Sequence, residues 1–519
     1  MKKRDIFIAI IVIMFGLAYQ AYEDGKFEFS FYEGCSFDRK MLVDKQYPND
    51  FTYDEIVKTN IGKLQLDNAA GNIVVETAPA GETQVRIQPL VRIYSRDKSK
   101  AAEIAKDIKV TATTEPWKGF DTVKSAEPVT PPVESSNTPA TTSSTTASST
   151  NSQIPSEDTT ATGKDTTSTA TQVLVPNGSE LLKVESYGAS NEKFPYHRVR
   201  IIIKVIVPRN VELEFKNYLG DISVKDYDAP ITINERYGDI DIASTTGKLN
   251  ITHRYGNVTV SDSLNALNLE THYSRIDLKT ILSLSLDCAY SRGIIDTIKK
   301  DTILTDARYS KLTIQSANNV SIDGKHSELS LKNITAGLYI RDSYENIYLE
   351  NIEGNMLIKT SDCKIDLQKA VSDNVVIENA YDNIRLYGLT AKRVDIVQRK
   401  GKLELDFDRI DEALNIKSSY SKIYLTLPKE LKALFNVEVY NGKISNQTKT
   451  DLVVVEERNR VSMNSEEASG KPQIIITNSY GDVYLDNNSV DINAVPGTST
   501  TNTTTTPEPK AEKEIDKEI

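Results

Sequence analysis

The sequence predicts an all-β fold, a single-stranded parallel β-solenoid (β-helix) with coils of about 18 residues and two short strands per coil. Three observations support this prediction. A tyrosine returns at a nearly constant interval, each interval holds two similar halves, and each half alternates apolar and polar residues. An N-terminal hydrophobic helix and a small β-rich cap are expected to precede the solenoid.

The interval is clearest from Tyr218 onward. Tyrosines follow one another at steps of 19, 18, 18, 17 and 19 residues: Tyr218, Tyr237, Tyr255, Tyr273, Tyr290, Tyr309. Further along, the same slot is taken by other tyrosines or by polar residues: His326, Tyr344, Asp362, Tyr381, Lys400, Tyr420, Tyr440, Tyr480. A repeat of this length is typical of one circuit of a solenoid.

Each interval divides into halves of about nine residues, as in "YGDIDIAST" and "TGKLNITHR". Aliphatic residues stand at i and i+2 in each half, for example Ile240 with Ile242 and Leu249 with Ile251. Period-two alternation predicts short strands with one buried face. An amphipathic helix would need apolar residues at i, i+3 and i+4, and these are absent.

Stacking of equivalent strands in parallel, about 4.8 Å apart, buries the apolar face that one coil alone would expose. Aliphatic residues also recur eight residues after the tyrosine slot and are expected to fill the core at a second corner: Ile281, Ile298, Ile334, Ile352, Leu389.

Composition divides the chain into six segments. In order, we predict a signal peptide or signal-anchor helix, a β-rich segment with a short helix, a Ser/Thr/Pro-rich disordered insertion, a β-rich segment leading into the solenoid, the solenoid and a disordered tail. Their bounds are residues 1–24, 25–126, 127–172, 173–217, 218–490 and 491–519.

The N-terminus has the pattern of an export signal. Lys2, Lys3 and Arg4 precede an apolar run from Ile6 to Tyr19. A basic segment before a hydrophobic one keeps the basic end in the cytoplasm. The remainder is therefore expected outside the cytoplasm, tethered to the cell membrane by this helix, or secreted if the helix is cleaved.

Bulk composition excludes several functions. The net charge of −11 and the lack of a basic cluster argue against nucleic-acid binding. The cysteines Cys35, Cys288 and Cys363 form no CxxC pair, so neither a zinc site nor a disulfide framework is expected. Cys288 and Cys363 lie in strand-like runs and are predicted to be core residues. No motif indicates a cofactor.

The stretch "VPRNVELEFKNYLGDISV", followed by "YGDIDI" and "YGNVTV", resembles the bacterial DUF4097 family, whose members are labelled as adhesins. The earlier "LDNAAGNIVVE" is similar to the opening strand motif of that family. The resemblance covers about residues 55–115 and 180–490. It implies a β-solenoid with an adhesion or binding role, and it supplies no catalytic residues.

Carboxylates on neighbouring coils could act as an acid and a base, as in β-helix enzymes that cleave polysaccharides. The candidates are Asp221, Asp239, Asp241 and Asp277. The slot two residues after the tyrosine, however, changes from Asp239 to Asn257 and Arg275, which is typical of a solvated face. His253 and His272 lie near successive tyrosines and would make a weak metal site. We expect them to be surface residues beside turns.

The tyrosines admit two interpretations. One is a structural ladder at a corner that fixes the register between coils, because rings one coil apart are within stacking distance. The other is an aromatic stripe that binds glycan or a protein surface. The candidate residues are Tyr237, Tyr255, Tyr273, Tyr290 and Tyr309. Interruptions at His326, Asp362 and Lys400 favour the structural interpretation.

These observations predict a non-enzymatic protein of the cell envelope that presents an extended surface for adhesion or binding. Its expected partners are the membrane, through the N-terminal helix, and envelope glycan or protein. One alternative is a structural scaffold that polymerises by end-to-end self-association. The other is an enzyme that acts on polysaccharides with the same β-helical scaffold.

Overall fold

A computed structural model describes residues 47–117, 179–187, 199–343, 346–429, 431–448, 452–465 and 472–487. The chain separates into two compact units, which divide between Ile233 and Asn234. Both are built almost entirely from strands. Within the described ranges one α-helix occurs, α1 (Lys98–Asp107), which Asp97 caps by accepting from the backbone N–H groups of Ser99 and Lys100.

The strands of the first unit are β1 (Tyr47–Thr52), β2 (Ile56–Lys58), β3 (Ile61–Asn68), β4 (Ile73–Thr77), β5 (Val85–Ser95), β6 (Lys109–Pro116), β7 (Glu180–Tyr187), β8 (Val199–Val207), β9 (Glu212–Leu219) and β10 (Ile222–Tyr227). Strand β11 (Ile231–Tyr237) crosses the division between the units.

The strands of the second unit are β12 (Ile240–Thr245), β13 (Leu249–His272), β14 (Ser274–Ala289), β15 (Arg292–Arg308), β16 (Lys311–Lys325), β17 (Glu328–Ser343), β18 (Asn346–Glu353), β19 (Asn355–Ser361), β20 (Lys364–Asn379), β21 (Ile384–Gln398), β22 (Gly401–Ser419), β23 (Ser421–Thr426), β24 (Leu434–Tyr440), β25 (Ile444–Asn446), β26 (Leu452–Glu457), β27 (Arg460–Ser465), β28 (Gln473–Ser479) and β29 (Val483–Asp486).

The predicted parallel β-solenoid is confirmed. Strands of successive coils from β12 to β22 pair in parallel, with β18 and β19 side by side in one coil between β17 and β20, and residues one repeat apart are in register, as Val258 is with Ile276. The i and i+2 aliphatic residues of both halves face inward: Ile276, Leu278, Leu284 and Leu286 are at most 2% exposed. The core is therefore a narrow layer between two strand walls.

The second corner is filled as predicted. The aliphatic residues eight positions after the tyrosine slot are all buried, and those on adjacent coils pair directly: Ile281, Ile298, Ile334, Ile352, Leu389. The pairing extends into this corner, as between Thr280 and Thr297, and its register shifts just after it, between Ile281 and Leu284. For this reason many coils contain one long strand where two short ones were predicted.

The coils at the C-terminal end are stacked out of chain order. Strand β28 pairs in parallel with β22 on one side and with β24 on the other, and β29 lies in the same way between β23 and β25. The last described coil is thus inserted between two coils that precede it in sequence. Beyond β24, the antiparallel strands β27 and β26 cover the end of that wall.

The first unit shows the same out-of-order stacking of strands at its own end. Strand β3 lies between β7 and β9, and β4 lies between β8 and β10, all in parallel. Antiparallel strands then cover the outermost coil, β6 on β7 and β5 on β8. A parallel stack would otherwise end in a row of unpaired N–H and C=O groups, and such an edge promotes aggregation.

Gly256→Ala is expected to destabilise the fold strongly. Gly256 has φ +138°, and an added Cβ would lie 2.0 Å from the carbonyl oxygen of Gly238 on the neighbouring coil. Backbone cannot yield as a flexible side chain can, so we expect a loss on the order of 3–5 kcal/mol in denaturant unfolding.

Gly81→Ala is the matched control. Gly81 also has positive φ, +89°, but an added Cβ would meet nothing within 4 Å. This variant should lose only the conformational term, about 1–2 kcal/mol. Equal losses in the two variants would show that the close approach of the coils at Gly256 is not what requires glycine there.

Candidate binding surface

The predicted tyrosine residues are brought together at one corner of the second unit. Their rings stack with centroids 5.0–5.3 Å apart and planes within 11° of parallel, and the His326 ring continues the stack at 4.8 Å from Tyr309. We call this stack the corner ladder; its members are Tyr237, Tyr255, Tyr273, Tyr290, Tyr309 and His326. Tyr344 lies outside the described residues.

Backbone geometry explains why the rings align. Tyr273, Tyr290 and Tyr309 have φ of +50° to +56°, in the left-handed region. Each turns the chain at the corner and donates its backbone N–H to a carbonyl oxygen of the next coil, as Tyr273 does to Ala289 at 3.0 Å. These three corners therefore lose no ladder hydrogen bond, and their rings leave the chain in the same direction.

Behind the ladder runs a column of buried side chains, most of them polar, that the sequence analysis did not predict. Its members stand two residues before the corner residue and are at most 5% exposed: Glu235, His253, Thr271, Cys288, Asp342, Asn379, Gln398, Ser418, Asn478. Several donate to corner carbonyls; Asn478 Nδ2, for example, lies 2.9 Å from the Gly481 oxygen. Buried carbonyl groups need such partners, so the column stabilises the corner.

His253 corrects an expectation. It was predicted to be a surface residue beside a turn, yet it is fully buried. Its Nε2 lies 2.9 Å from the Gly238 carbonyl oxygen and its Nδ1 lies 2.9 Å from Ser274 Oγ. Burial lowers the pKa of His253, and the Gly238 hydrogen bond opposes this only in part. His272, in contrast, is partly exposed and lies 3.7 Å from Glu270.

Stacking limits what the corner ladder can bind. Each inner ring has both faces covered by its neighbours, although Tyr273, Tyr290 and Tyr309 remain about half exposed, at 49–52%. Only ring edges and phenol hydroxyl groups therefore meet solvent. A sugar that stacks on an aromatic face would find no free face along the inner rings.

Two of the four candidate carboxylates, Asp241 and Asp277, are kept apart by the stacking of the coils. Asp241 and Asp277 share a column, but Thr259 separates them, so they lie about 10 Å apart at 4.8 Å per coil. Asp277 pairs with Lys279 at 3.0 Å.

The other two candidates make local contacts. Asp239 accepts from the Asn257 backbone N–H at 2.8 Å, and Asp221, in the first unit, accepts from Asn72 Nδ2 at 3.1 Å.

Over the part of the chain that the structure describes, no group of three or more His, Cys, Asp or Glu side chains could hold a metal ion. Within the same ranges, no helix is long and apolar enough to cross a membrane. The predicted N-terminal helix and Cys35 fall outside the described residues. Cys288 and Cys363 are buried in the core, as predicted, and burial raises the pKa of Cys288 to about 12.

A second surface lies on the outer face of the first wall, near the C-terminal end. Six residues on successive positions of the stack occupy one column in register. We call this column the wall patch: Tyr348, Asp366, Arg385, Glu404, Tyr424, Tyr484. All six are partly exposed, and the column spans about 24 Å at about 4.8 Å per step.

The wall patch is a connected network. Arg385 Nε lies 2.6 Å from a Glu404 carboxylate oxygen, and Lys402 also pairs with Glu404. The Lys402 ammonium lies 4.6 Å from the centroid of Tyr424, whose ring stacks on Tyr484 at 4.7 Å. These contacts fix the side chains in place, so the surface is ordered before any partner binds.

The fold and both surfaces can now be set against known proteins. Residues 291–486 match the model of the Toastrack DUF4097 family. The resemblance predicted from the sequence is confirmed over this segment, which contains the whole wall patch. No curated protein sequence matches the chain.

A solved structure of a "putative cell adhesion protein" from Clostridium sporogenes also aligns with the chain, at 9% sequence identity. The alignment covers 85% of this chain and 100% of that chain, with a TM-score of 0.17.

Within the Toastrack segment, the phenol groups beside the wall patch are held neutral. Burial, and then the neighbouring Glu404 charge, raise the pKa of Tyr387 to about 12. Burial and a hydrogen bond to Glu350 raise the pKa of Tyr348. Burial also opposes ionisation of Glu404, but Lys402 and Arg385 outweigh it and keep the pKa of Glu404 below its usual value. The patch thus combines hydroxyl donors with fixed charges.

The sequence contains a signal for this patch that was missed. Three tyrosines stand four residues after a corner residue, in the motifs "YENIY", "YSKIY" and "YGDVY". Period-two alternation places that position on the outer face. Only the first tyrosine of each motif follows the repeat, so the repeat alone does not reveal the second tyrosine.

Tyr273→Asn tests the corner ladder. Asn tolerates left-handed φ, so the change removes the ring contacts to Tyr255 and Tyr290 with little backbone strain. At about 0.5–1.5 kcal/mol per aromatic pair, denaturant unfolding should show a loss of about 1–3 kcal/mol. Tyr273→Phe, which keeps the ring, should lose less than about 0.5 kcal/mol. Similar losses in both variants would contradict stabilisation by stacking.

His253→Asn tests the buried column through pH. Because the folded-state pKa of His253 is lowered, the unfolded chain binds more protons than the folded chain below about pH 6.5, and stability falls as pH falls. Asn occupies this position on other coils, as at Asn379 and Asn478. The variant should show a shallower loss of melting temperature between pH 7.5 and 5 than the wild type.

His272→Asn is the control for that experiment, since His272 is partly exposed. It should retain the acid-dependent slope of the wild type. If His272→Asn flattened the slope and His253→Asn did not, the buried imidazole would not be its origin.

Proposed function

We propose that this protein is a non-enzymatic adhesion protein of the cell envelope, and that the wall patch is its contact surface. The ligand class is an envelope glycan or protein with closely spaced polar groups. The observation that carries the proposal is the contrast between the two faces of the wall. Inward positions stay aliphatic from coil to coil, whereas the outward column changes from tyrosine to aspartate, arginine and glutamate.

The chemistry of the patch supports a binding role. Neutral phenols donate hydrogen bonds, and the Arg385–Glu404 pair offers both a donor fork and an acceptor. Aromatic residues and Arg are enriched at binding interfaces for this reason. Of the carboxylates considered for the enzyme alternative, Asp241 and Asp277 are separated by Thr259, and Asp277 is paired with Lys279, which favours binding over catalysis at this column. The name of the aligned adhesion protein agrees with the proposal but adds no independent weight.

Export is part of the same proposal. The basic residues before the apolar run Ile6–Tyr19 would place the solenoid outside the cytoplasm, anchored by an uncleaved helix or released after cleavage. Protease added to intact cells should then degrade the solenoid. Protection until the membrane is permeabilised would contradict this location.

Replacement of wall-patch residues tests the contact surface. The double variant Arg385→Gln, Tyr424→Ser removes the donor fork and one ring of the stacked pair. Binding of the purified chain to envelope fractions and to a glycan array should weaken at least about tenfold, since central interface residues of these types commonly contribute 2 kcal/mol or more.

Ile294→Ser is the matched control. Ile294 is 41% exposed and lies in the same outward column, three coils before Tyr348, in the order Ile294, Thr313, Ser330, Tyr348. It should bind like the wild type. Equal binding by all three proteins at equal stability would contradict the wall patch, and release of reducing sugar from glycan would contradict the non-enzymatic function.

A further inference from the structure

The antiparallel strand β26 ends the second unit with an unusual edge. Val453, Val454 and Val455 are 44–48% exposed, although their side chains alternate between the two faces of the strand. Neither face is therefore packed. Among the described residues, β26 pairs only with β27, so its other edge offers free backbone N–H and C=O groups.

The edge strands of the first unit differ from β26. Strand β1 carries Pro48 and the Asp50–Arg92 ion pair, and β6 carries Lys109, Pro116 and the Glu115–Lys183 ion pair. Proline and charge are the residues with which proteins protect an edge from further pairing. In "LVVVEE", the sequence of β26, neither proline nor lysine occurs.

We propose that β26 pairs antiparallel with β26 of a second copy of this chain, about a two-fold axis. Such an axis places residues of the same face opposite each other, with Val454 opposite its own copy and Val453 opposite Val455 of the second copy. Leu452 then lies opposite Glu456 of the second copy. The two Glu456 carboxylates are about 13 Å apart, at about 3.3 Å per residue.

Charge disfavours registers centred on the glutamates of β26, and proline disfavours the edges of β1 and β6 as partners. A register centred on Glu456 would set two carboxylates directly opposite each other, which destabilises a strand pair. Pairing of β26 with an edge of the first unit would have to accept a proline, which cannot donate a hydrogen bond. The symmetric pair therefore closes as a dimer, where head-to-tail contacts would give open filaments.

The dimer is independent of the wall patch, so the two proposals can fail separately. It would also present two copies of the wall patch on one particle. Paired sites raise the apparent affinity for a repetitive surface without any new contact.

Sedimentation equilibrium of the full chain tests the pairing. The wild type should show a reversible, concentration-dependent dimer. Val454→Lys places two ammonium groups opposite each other on the axis and should shift the dissociation constant at least tenfold towards the monomer, with an unchanged melting temperature because the side chain is exposed. Val371→Lys, at a 58% exposed position on β20, is the matched control and should dimerise like the wild type.

Cysteine cross-linking tests the register. In a Cys35→Ser background the two other cysteines are buried. Two Val454→Cys thiols facing each other should form one disulfide as glutathione disulfide is reduced to two glutathione molecules. Val453→Cys, which has no copy of itself opposite, should not cross-link. The proposal would be overturned if the wild type stayed monomeric at all concentrations, or if Val454→Lys left the dimer unchanged. It would also be overturned if β26 bound other proteins but not a second copy of this chain.

Discussion

Backbone hydrogen bonding between coils is the constraint on which this structure depends. A coil has no partner within itself, so each N–H and C=O of its walls must meet the coil before or after it. The corners are where such a ladder would most easily break. Here the corner residue adopts left-handed φ and still donates to the next coil, as Tyr290 does to Arg308 at 2.9 Å. Ring stacking outside and polar side chains inside follow from that geometry.

The outer and inner sides of the corner are stabilised by different interactions. Outside, stacked rings add a modest attraction at each step and tolerate a replacement such as His326. Inside, a carbonyl without a partner would be costly, and the Asn, Gln and His side chains of the buried column contact such carbonyl oxygens. Side chains on the outer face of the wall neither stack at the corner nor bind the corner carbonyl groups. Its residues are free to vary, and this freedom allows a binding surface such as the wall patch to be built on a repetitive scaffold.

The sequence was sufficient for the repeating part of the fold because the repeat reports a physical period. Tyr255 and Tyr273 lie one coil apart, and Ile276 with Leu278 reports the inward face. It was insufficient where a residue acts through its neighbours in space. His253 looks like a surface residue in the sequence, because its partners Gly238 and Ser274 belong to adjacent coils.

The stacking order at the ends was beyond prediction for a related reason, since it does not follow the order of the strands along the chain. The inserted coils also set the order in which the protein can fold as it emerges from its N-terminus. Strand β3 must wait for β7 and β9, which lie more than 100 residues further along the chain. The middle coils need only their immediate successors, so folding should nucleate there and reach the N-terminal coil late. Until then β3 and β4 expose apolar strands, and a chaperone that acts during synthesis would find its substrate in that segment.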